Sequence, residues 1–514
     1  MSNVLDEIVE PWPGVVSVLE SPKRSAVLAI DLGTSGIRAG LFDECGRELA
    51  GSEIRKDHRP DVSPSPGVFD PDTLFEQLAL TLHDVCGRLD ESNTHVDLIA
   101  ISCFWHSLIG LDDRFYQTTP LLAWGDPRAA AATNQLRLEL DEEKYHARTG
   151  CRFHQSYWPA KLRRLRDEEP AAFQRTKHWL SFSDNVTEVF FDDQSTSVSI
   201  ASGTGLMNQR TCEWDGELLR SLDIAPEKLP KIAPADHPFL KLSQSSKSLW
   251  PQLSEARVVP VVADGAANSI GSGCHSTDRV SLMIGTSGAM RVCFKGEPPA
   301  RVPPELWCYR ANRERVLLGG ALSDGGGLIS WLKESLLPDE PAATLEAELD
   351  LMKADNHGLT VLPFWAGERS TGWNPKARGV ILGLASQTDP SEIVRAAMEG
   401  IAYRFSAIWN ALEPFAPDAK LIGSGGALRA SPTWAQILAD VLGRPVYVSE
   451  TPEASMRGAA LLALEAAGKI ESIEKLSATV SIPDETVFEP NMSNHVRYQA
   501  ARERQERFYQ QLFC

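Results

Sequence analysis

A mixed α/β fold in two parts is what this sequence predicts, on three observations. The chain has 514 residues, more than one hydrophobic core organises. Short apolar runs of strand type alternate with stretches of helical periodicity. The tetrapeptide Gly-Thr-Ser-Gly occurs at 33–36 and again at 285–288, about half the chain later, each time between two apolar runs. The same turn in the same strand context points to an internal duplication.

The elements follow in order. Residues 1–24 read as a tail. Ala26–Ile30 and Ile37–Asp43 are apolar runs joined by Asp31-Leu-Gly-Thr-Ser-Gly36, which reads as a hairpin. Asp70-Pro71 opens a helix, with aspartate at the N-cap and proline at the first helical position. Leu74, Leu78, Leu82, Val85 and Leu89 keep helical spacing along it, and Leu98–Ser102 is a buried strand. Val258–Ala263 reads as an apolar strand ending in Asp264. Gly273–Asp278 reads as the linker between an N-terminal part, 25–275, and a C-terminal part, 276–514.

The second part repeats the grammar. Val280–Ile284 and Met290–Phe294 flank the second Gly-Thr-Ser-Gly, and Val316–Ala321 is a further strand. Asp389-Pro390 with Glu392 predicts a capping box, followed by a core stripe of Val394, Met398, Ile401, Phe405, Ile408 and Leu412. Leu421-Ile-Gly runs into Ser424-Gly-Gly-Ala427. Ser431-Pro432 starts a helix that Gly443 ends, Val446–Val448 is a strand, and a helix covers about 455–467.

Composition narrows the function. A net charge of −18 argues against a nucleic-acid partner, which needs an excess of Lys and Arg. No apolar run approaches the ~20 residues of a membrane span. The N-terminus is acidic and broken by proline, unlike a signal peptide. Nine scattered cysteines, with no CxxC pair, predict reduced thiols and a cytoplasmic protein.

Several groups carry chemistry. Two turns of glycine and hydroxyl residues suit a polyphosphate, because bare backbone N–H groups approach oxygens closely. Asp31, beside the first turn, is placed to hold magnesium through water. Neither turn is a P-loop, since the lysine is missing. Leu421–Ala427 offers bare backbone to a flat base. Asp264, at a strand end among small residues, has room to act as a general base or simply to cap the next helix. Phe104-Trp105-His106-Ser107 and Trp124-Gly-Asp126-Pro-Arg128 bring aromatic rings, an imidazole, a carboxylate and a guanidinium suited to a polyol. Arg128 and Lys161 are the cations nearest these segments, available to an acidic substrate or to solvent.

Taken together and in order, these motifs resemble the FGGY carbohydrate kinase family: Asp31–Arg38, Asp264-Gly-Ala-Ala-Asn-Ser-Ile-Gly271, Gly285–Gly288, Gly367-Glu-Arg through Glu399-Gly-Ile-Ala402, and Gly423–Ala427. The resemblance covers about residues 25–480. It implies two actin-like, ribonuclease-H-like domains with a cleft between them, the first for sugar and phosphate, the second for nucleotide. It implies ATP and Mg²⁺ as cofactors. Thr34, Ser35 and Arg38 resemble the first phosphate turn, with Asp31 near the metal. Gly285 and Thr286 resemble the second turn, and Gly326, Gly425, Gly426 and Ala427 the adenosine site. Asp264 is similar to the family's catalytic base. Trp105, His106 and Asp126 fall in the sugar-contacting segments, which Arg128 and Lys161 flank.

Within the family the gluconokinase subgroup is most similar, through His106–Asp112 leading to Thr119–Arg128, through Asp264-Gly265, and through Gly367-Glu-Arg with Trp373-Asn374. Xylulose and glycerol kinases usually have Asp-Asn or Asp-Gln at the second of these. Departures are Trp105, where many relatives have Met, Ser370-Thr371-Gly372 in place of Ala-Pro, and the N-terminal extension. The resemblance therefore implies phosphorylation of a sugar acid, D-gluconate to 6-phosphogluconate. Xylulose or another sugar or polyol is the alternative within the family, and a non-catalytic actin-like nucleotide-binding module the alternative outside it. The implied partner is a small sugar or sugar acid, with a homodimer left open.

Overall fold

A computed structural model of the chain describes residues 24–58, 62–63, 65–235, 239–451, 453–479 and 485–514. The tail expected over 1–24 lies outside them, except for Arg24.

The first sheet begins with the hairpin read from the sequence. β1 (Arg24–Leu32) and β2 (Gly36–Phe42) pair antiparallel, and β3 (Ile54–Asp57) continues antiparallel on β2. α1 (Pro71–Glu91) carries the chain over to β4 (Thr94–Cys103), which lies parallel to β1. Asp70 holds the N-cap position of α1 but gives no side-chain cap; its carboxylate takes the Thr73 hydroxyl at 2.5 Å instead. Ala26–Ile30 of β1 and Leu98–Ile101 of β4 are unbroken apolar runs because both faces of this sheet are covered there.

The strand expected over 258–263 is two short pieces. β5 (Arg257–Val258) and β6 (Val262–Ala263) each pair parallel with β4. Pro260 lies between them and has no N–H for the ladder. α2 (Asp264–Gly271) starts at once after β6, so Asp264 is its first residue.

The second half repeats this path. β7 (Arg279–Ile284) and β8 (Gly288–Lys295) form a hairpin, with β9 (Trp307–Arg310) and β10 (Arg315–Leu322) extending it antiparallel in the order β9-β10-β8-β7. α3 (Gly326–Leu336) and α4 (Pro390–Leu412) precede β11 (Lys420–Ser424), which is parallel to β7. The Asp389–Glu392 capping box forms. α5 (Pro432–Leu442) ends at Gly443, whose φ of 63° is the left-handed C-cap conformation. β12 (Val446–Ser449) lies parallel to β11, as β5 and β6 do to β4. α6 (Ala454–Ala466), β13 (Glu485–Phe488) and α7 (Met492–Phe513) complete the chain. Both sheets thus run from an antiparallel hairpin to parallel strands in the same order, which is the expected duplication.

The two halves are joined by their helices. α6 lies late in the sequence, yet Met456, Ala459, Ala460, Leu461 and Leu464 belong to the core around β1 and β4. α6 crosses α2 at two glycines. A Cβ on Gly271 would sit 1.8 Å from the Ala454 oxygen, and one on Gly458 would sit 1.8 Å from the Ala267 oxygen. Only glycine allows that approach. Asp264, at the start of α2, therefore stands where the two halves meet.

Candidate active site

Between the halves lies a cleft of about 490 Å³, walled from both sides. From the first half come Asp31, Gly33, Thr34, Ser35, Arg38, Trp105, His106 and Asp264. From the second come Gly285, Thr286, Arg369, Gly425 and Gly426.

At its centre is Asp264. Burial, with the charge of Asp31 added, pushes its carboxyl up to about 6, against the pull of Arg291. Its Oδ1 takes the Gly265 N–H at 2.7 Å. Asp31 is buried and held on both oxygens, by the Ser102 hydroxyl and by Arg38 at 2.5 Å. Arg38 reaches further, to Glu453 at 2.7 Å, so it ties the first hairpin to the segment before α6. Two carboxylates and two hydroxyl-bearing turns in one cleft make an oxygen-rich donor set, which fits a hard divalent cation.

Glycine builds one end of the cleft. Gly425 has φ +97°, and a Cβ there would lie 2.3 Å from the Ile284 oxygen. The Gly326 and Gly327 N–H groups bind the Gly285 and Thr286 carbonyls at 2.7 and 3.0 Å, sewing the second turn to α3. Gly326 and Ala427 lie next to each other beside this wall, both partly exposed.

At the other end His106 and Trp105 form the floor. His106 has φ 69° and its Nδ1 lies 2.5 Å from the Gly203 carbonyl. A carbonyl only accepts, so Nδ1 carries the hydrogen and Nε2 is left as an acceptor. Burial holds this imidazole neutral, well below its usual range. Trp105 donates to the Ser199 carbonyl and packs on Tyr309, with ring centroids 4.9 Å apart. A Cβ on Gly265 would lie 2.7 Å from the Trp105 ring. The departure at Trp105 and the Gly265 that resembles gluconokinases are therefore one adjustment: the indole fills the space a side chain at 265 would need.

Three of the residues read as sugar contacts are placed elsewhere. Asp126 is buried away from the cleft surface and locked in a bidentate pair with Arg128, at 2.8 and 2.9 Å. Arg128 is spent on that pair and is half exposed. Lys161 is fully buried beneath the floor, donating to the His106 carbonyl at 2.6 Å and the Leu122 carbonyl at 3.2 Å. Burial lowers its ammonium to about 7. Its place is under His106, holding that backbone, not facing a ligand.

Two wall residues were missed by sequence reasoning. Arg291 donates to the Gly265 carbonyl at 2.9 Å, beside Asp264, and burial lowers its guanidinium to about 10. The legible signal was an arginine inside the apolar run Met290–Phe294. Arg369 stacks on the Trp124 ring, 4.7 Å from its centroid, and donates to the Leu322 carbonyl at 3.0 Å.

Comparison with known proteins bears on this geometry. Models of the FGGY family of carbohydrate kinases match residues 26–271, as its N-terminal domain, and 280–467, as its C-terminal domain. The chain belongs to the FGGY carbohydrate kinases. It is thus an ATP-dependent sugar kinase with a small-molecule sugar substrate. A gluconokinase of Bacillus subtilis is 27% identical over 88% of this chain and 90% of that protein. A glycerol kinase of Gloeobacter violaceus is 30% identical over 85% of this chain and 87% of that protein. Among solved structures, a gluconate kinase of Lactobacillus acidophilus superposes with a TM-score of 0.84 at 24% identity, covering 95% of this chain and 98% of that one. A xylulose kinase of the same organism gives the same TM-score, identity and coverage. Among the described residues no helix of this kinase is long and apolar enough to cross a membrane.

Proposed function

We propose that this kinase transfers the γ-phosphoryl group of ATP to the terminal primary hydroxyl of a sugar acid, D-gluconate, giving 6-phosphogluconate and ADP. Asp264 takes the hydroxyl proton as the oxygen attacks phosphorus and the bond to the β-phosphate oxygen breaks. The observation that carries the base assignment is a carboxylate lining the cleft between the two turns, at the first residue of α2, where desolvation raises it from the ordinary carboxylate range. Thr34, Ser35 and Thr286 supply hydroxyl donors to the phosphates, and Gly285, Gly425 and Gly426 supply bare backbone. Gly326 and Ala427, beside that wall, adjoin the base and ribose. Arg38 keeps Asp31 oriented, and Arg291 holds the Gly265 carbonyl beside the base. His106 Nε2 accepts a substrate hydroxyl and Trp105 offers its face. Asp31 would hold magnesium, which supplies charge neutralisation at the phosphates.

The choice of an acid over a neutral sugar has an electrostatic support. The chain carries −18 overall, yet Arg291 and Arg369 are buried in the cleft wall with no carboxylate in ion-pair contact among the described residues. The similarity to gluconokinases favours the same choice. Seven of the nine free cysteines are buried, which suits the reducing cytoplasm proposed for it. The test is kcat/KM for gluconate beside xylulose, ribulose and glycerol under identical conditions. Gluconate is expected to lead. A neutral sugar winning by about tenfold, or ~1.4 kcal/mol, leaves the kinase and removes gluconate.

A further inference from the structure

We propose that Arg369 is the cation that holds the carboxylate of an acidic sugar in this cleft; the inference rests on the sugar-acid reading above. An anion entering an acidic protein needs a local cation whose charge is not already matched. Arg128 is matched by Asp126 and Arg38 by Asp31 and Glu453. Lys161 is turned to two carbonyls below the floor. Arg291 stands beside Asp264, at the end where the hydroxyl reacts. A sugar acid phosphorylated on its terminal hydroxyl carries its carboxylate at the opposite end of the carbon chain.

Arg369 meets the requirement. It lines the cleft at 9% exposure, and of its five N–H donors one is used on protein, toward the Leu322 carbonyl. Its Nε is buried without a partner. Trp124 covers one face of the guanidinium, which leaves the in-plane fork for a ligand. No carboxylate lies at ion-pair distance among the described residues. The groups that feel its charge are the neutral His106, His154, Tyr157 and Tyr309, together with Arg291 and, beyond ion-pair distance, the carboxyl groups of Asp264 and Asp324.

The loop is built to hold the arginine still. Glu368 is buried and clamped by Arg404 of α4 at 2.8 Å and by the Tyr509 hydroxyl of α7 at 2.6 Å. Ser370 exchanges hydrogen bonds with Ala321 of β10, at 3.0 and 3.1 Å. The residues on either side of Arg369 are thus fixed to three different elements.

The experiment compares D-gluconate with D-gluconamide, its neutral isostere, on the full-length enzyme and on Arg369→Gln and Arg369→Lys. The wild type should favour gluconate by about 10²–10³ in kcat/KM, the range for a buried charge losing its partner. Arg369→Gln should shrink that ratio below about tenfold, with the larger loss on gluconate, and leave the affinity for an ATP analogue unchanged. Arg369→Lys, which keeps the charge but not the fork, should fall between them. A ratio that survives in Arg369→Gln overturns the proposal while gluconate stands. If the wild type prefers another sugar acid and Arg369→Gln loses that preference, the anchor stands and gluconate falls. If the wild type takes neutral sugars alone, both fall. Should Arg369→Gln not fold, a wild-type ratio near one, or an Arg369→Lys ratio equal to the wild type's, overturns the anchor; a large wild-type ratio reduced in Arg369→Lys supports it.

Discussion

The two Gly-Thr-Ser-Gly turns are identical in letters and different in work. In the first, Leu32 pairs with Ile37, so residues 33–36 close the hairpin. In the second, Ile284 pairs with Gly288, so the loop is one residue tighter, 285–287. Behind the first turn Asp31 pairs across the strands with Arg38; at the matching step behind the second, Met283 pairs with Ala289. The first turn therefore sits on buried charge. The second sits on apolar side chains and is sewn through backbone to the glycines of α3. One repeated hairpin is a charged half beside Asp264 in the first copy and a neutral half that offers bare backbone in the second.

That contrast can be broken in five places. The largest effect is expected from Asp264→Asn, which should lower turnover by about 10²–10⁴-fold and keep nucleotide binding. The same change should raise stability. The folded carboxyl titrates near 6 against an ordinary 3.8. The native state thus holds an extra proton between those values, and the cost of burying the anion is absent below about pH 4 and complete above about pH 6. At pH 7 the variant should gain up to about 3 kcal/mol, read as a higher Tm. Normal turnover in this variant would move the base elsewhere.

Asp31→Asn should raise the magnesium requirement about 10–100-fold, as loss of an outer-sphere carboxylate does. It also removes the like charge on Asp264. The wild-type rate should rise with pH through about 6, and in Asp31→Asn that rise should move to lower pH. A metal titration and a pH–rate profile read both; an unmoved profile separates the two carboxylates.

Thr34→Val and Thr286→Val should each cost about 1–3 kcal/mol, the loss of a hydroxyl partner at a charged group. The comparison sharpens if they split, Thr34→Val acting on kcat and Thr286→Val on the KM for ATP. Equal effects on both constants would make the turns equivalent. The smallest effect is expected from Met283→Leu, a volume-conserving change that should leave the magnesium requirement where it is and cost under about 1.5 kcal/mol of stability. A shifted metal titration there would give the second turn a part in the charged half.

Much of this was legible. Asp264 stood out because an apolar run ended in a carboxylate, and Gly425-Gly426 because bare backbone followed a strand. The Asp389 capping box and the Gly443 stop were readable since their partners lie within a few residues. Pro260 was equally readable, but the apolar letters around it hid the break. The Asp126–Arg128 pair was equally within reach of the sequence, since two residues of separation let the two side chains satisfy each other.

The sequence by itself determined most of the strands and helices, the repeated turn and the carboxylate at the end of the 258–263 run, because periodicity, capping and glycine geometry act over short stretches of chain. Only the tertiary structure decided which charges are spent. Arg369 faces the cleft because Trp124 stacks on it, and because Arg404 and Tyr509 fix the Glu368 beside it. Lys161 is hidden because the His106 and Leu122 carbonyls draw it under the floor. Whether a cation is matched, buried or free depends on groups far away in the chain, and no local pattern carries that distance.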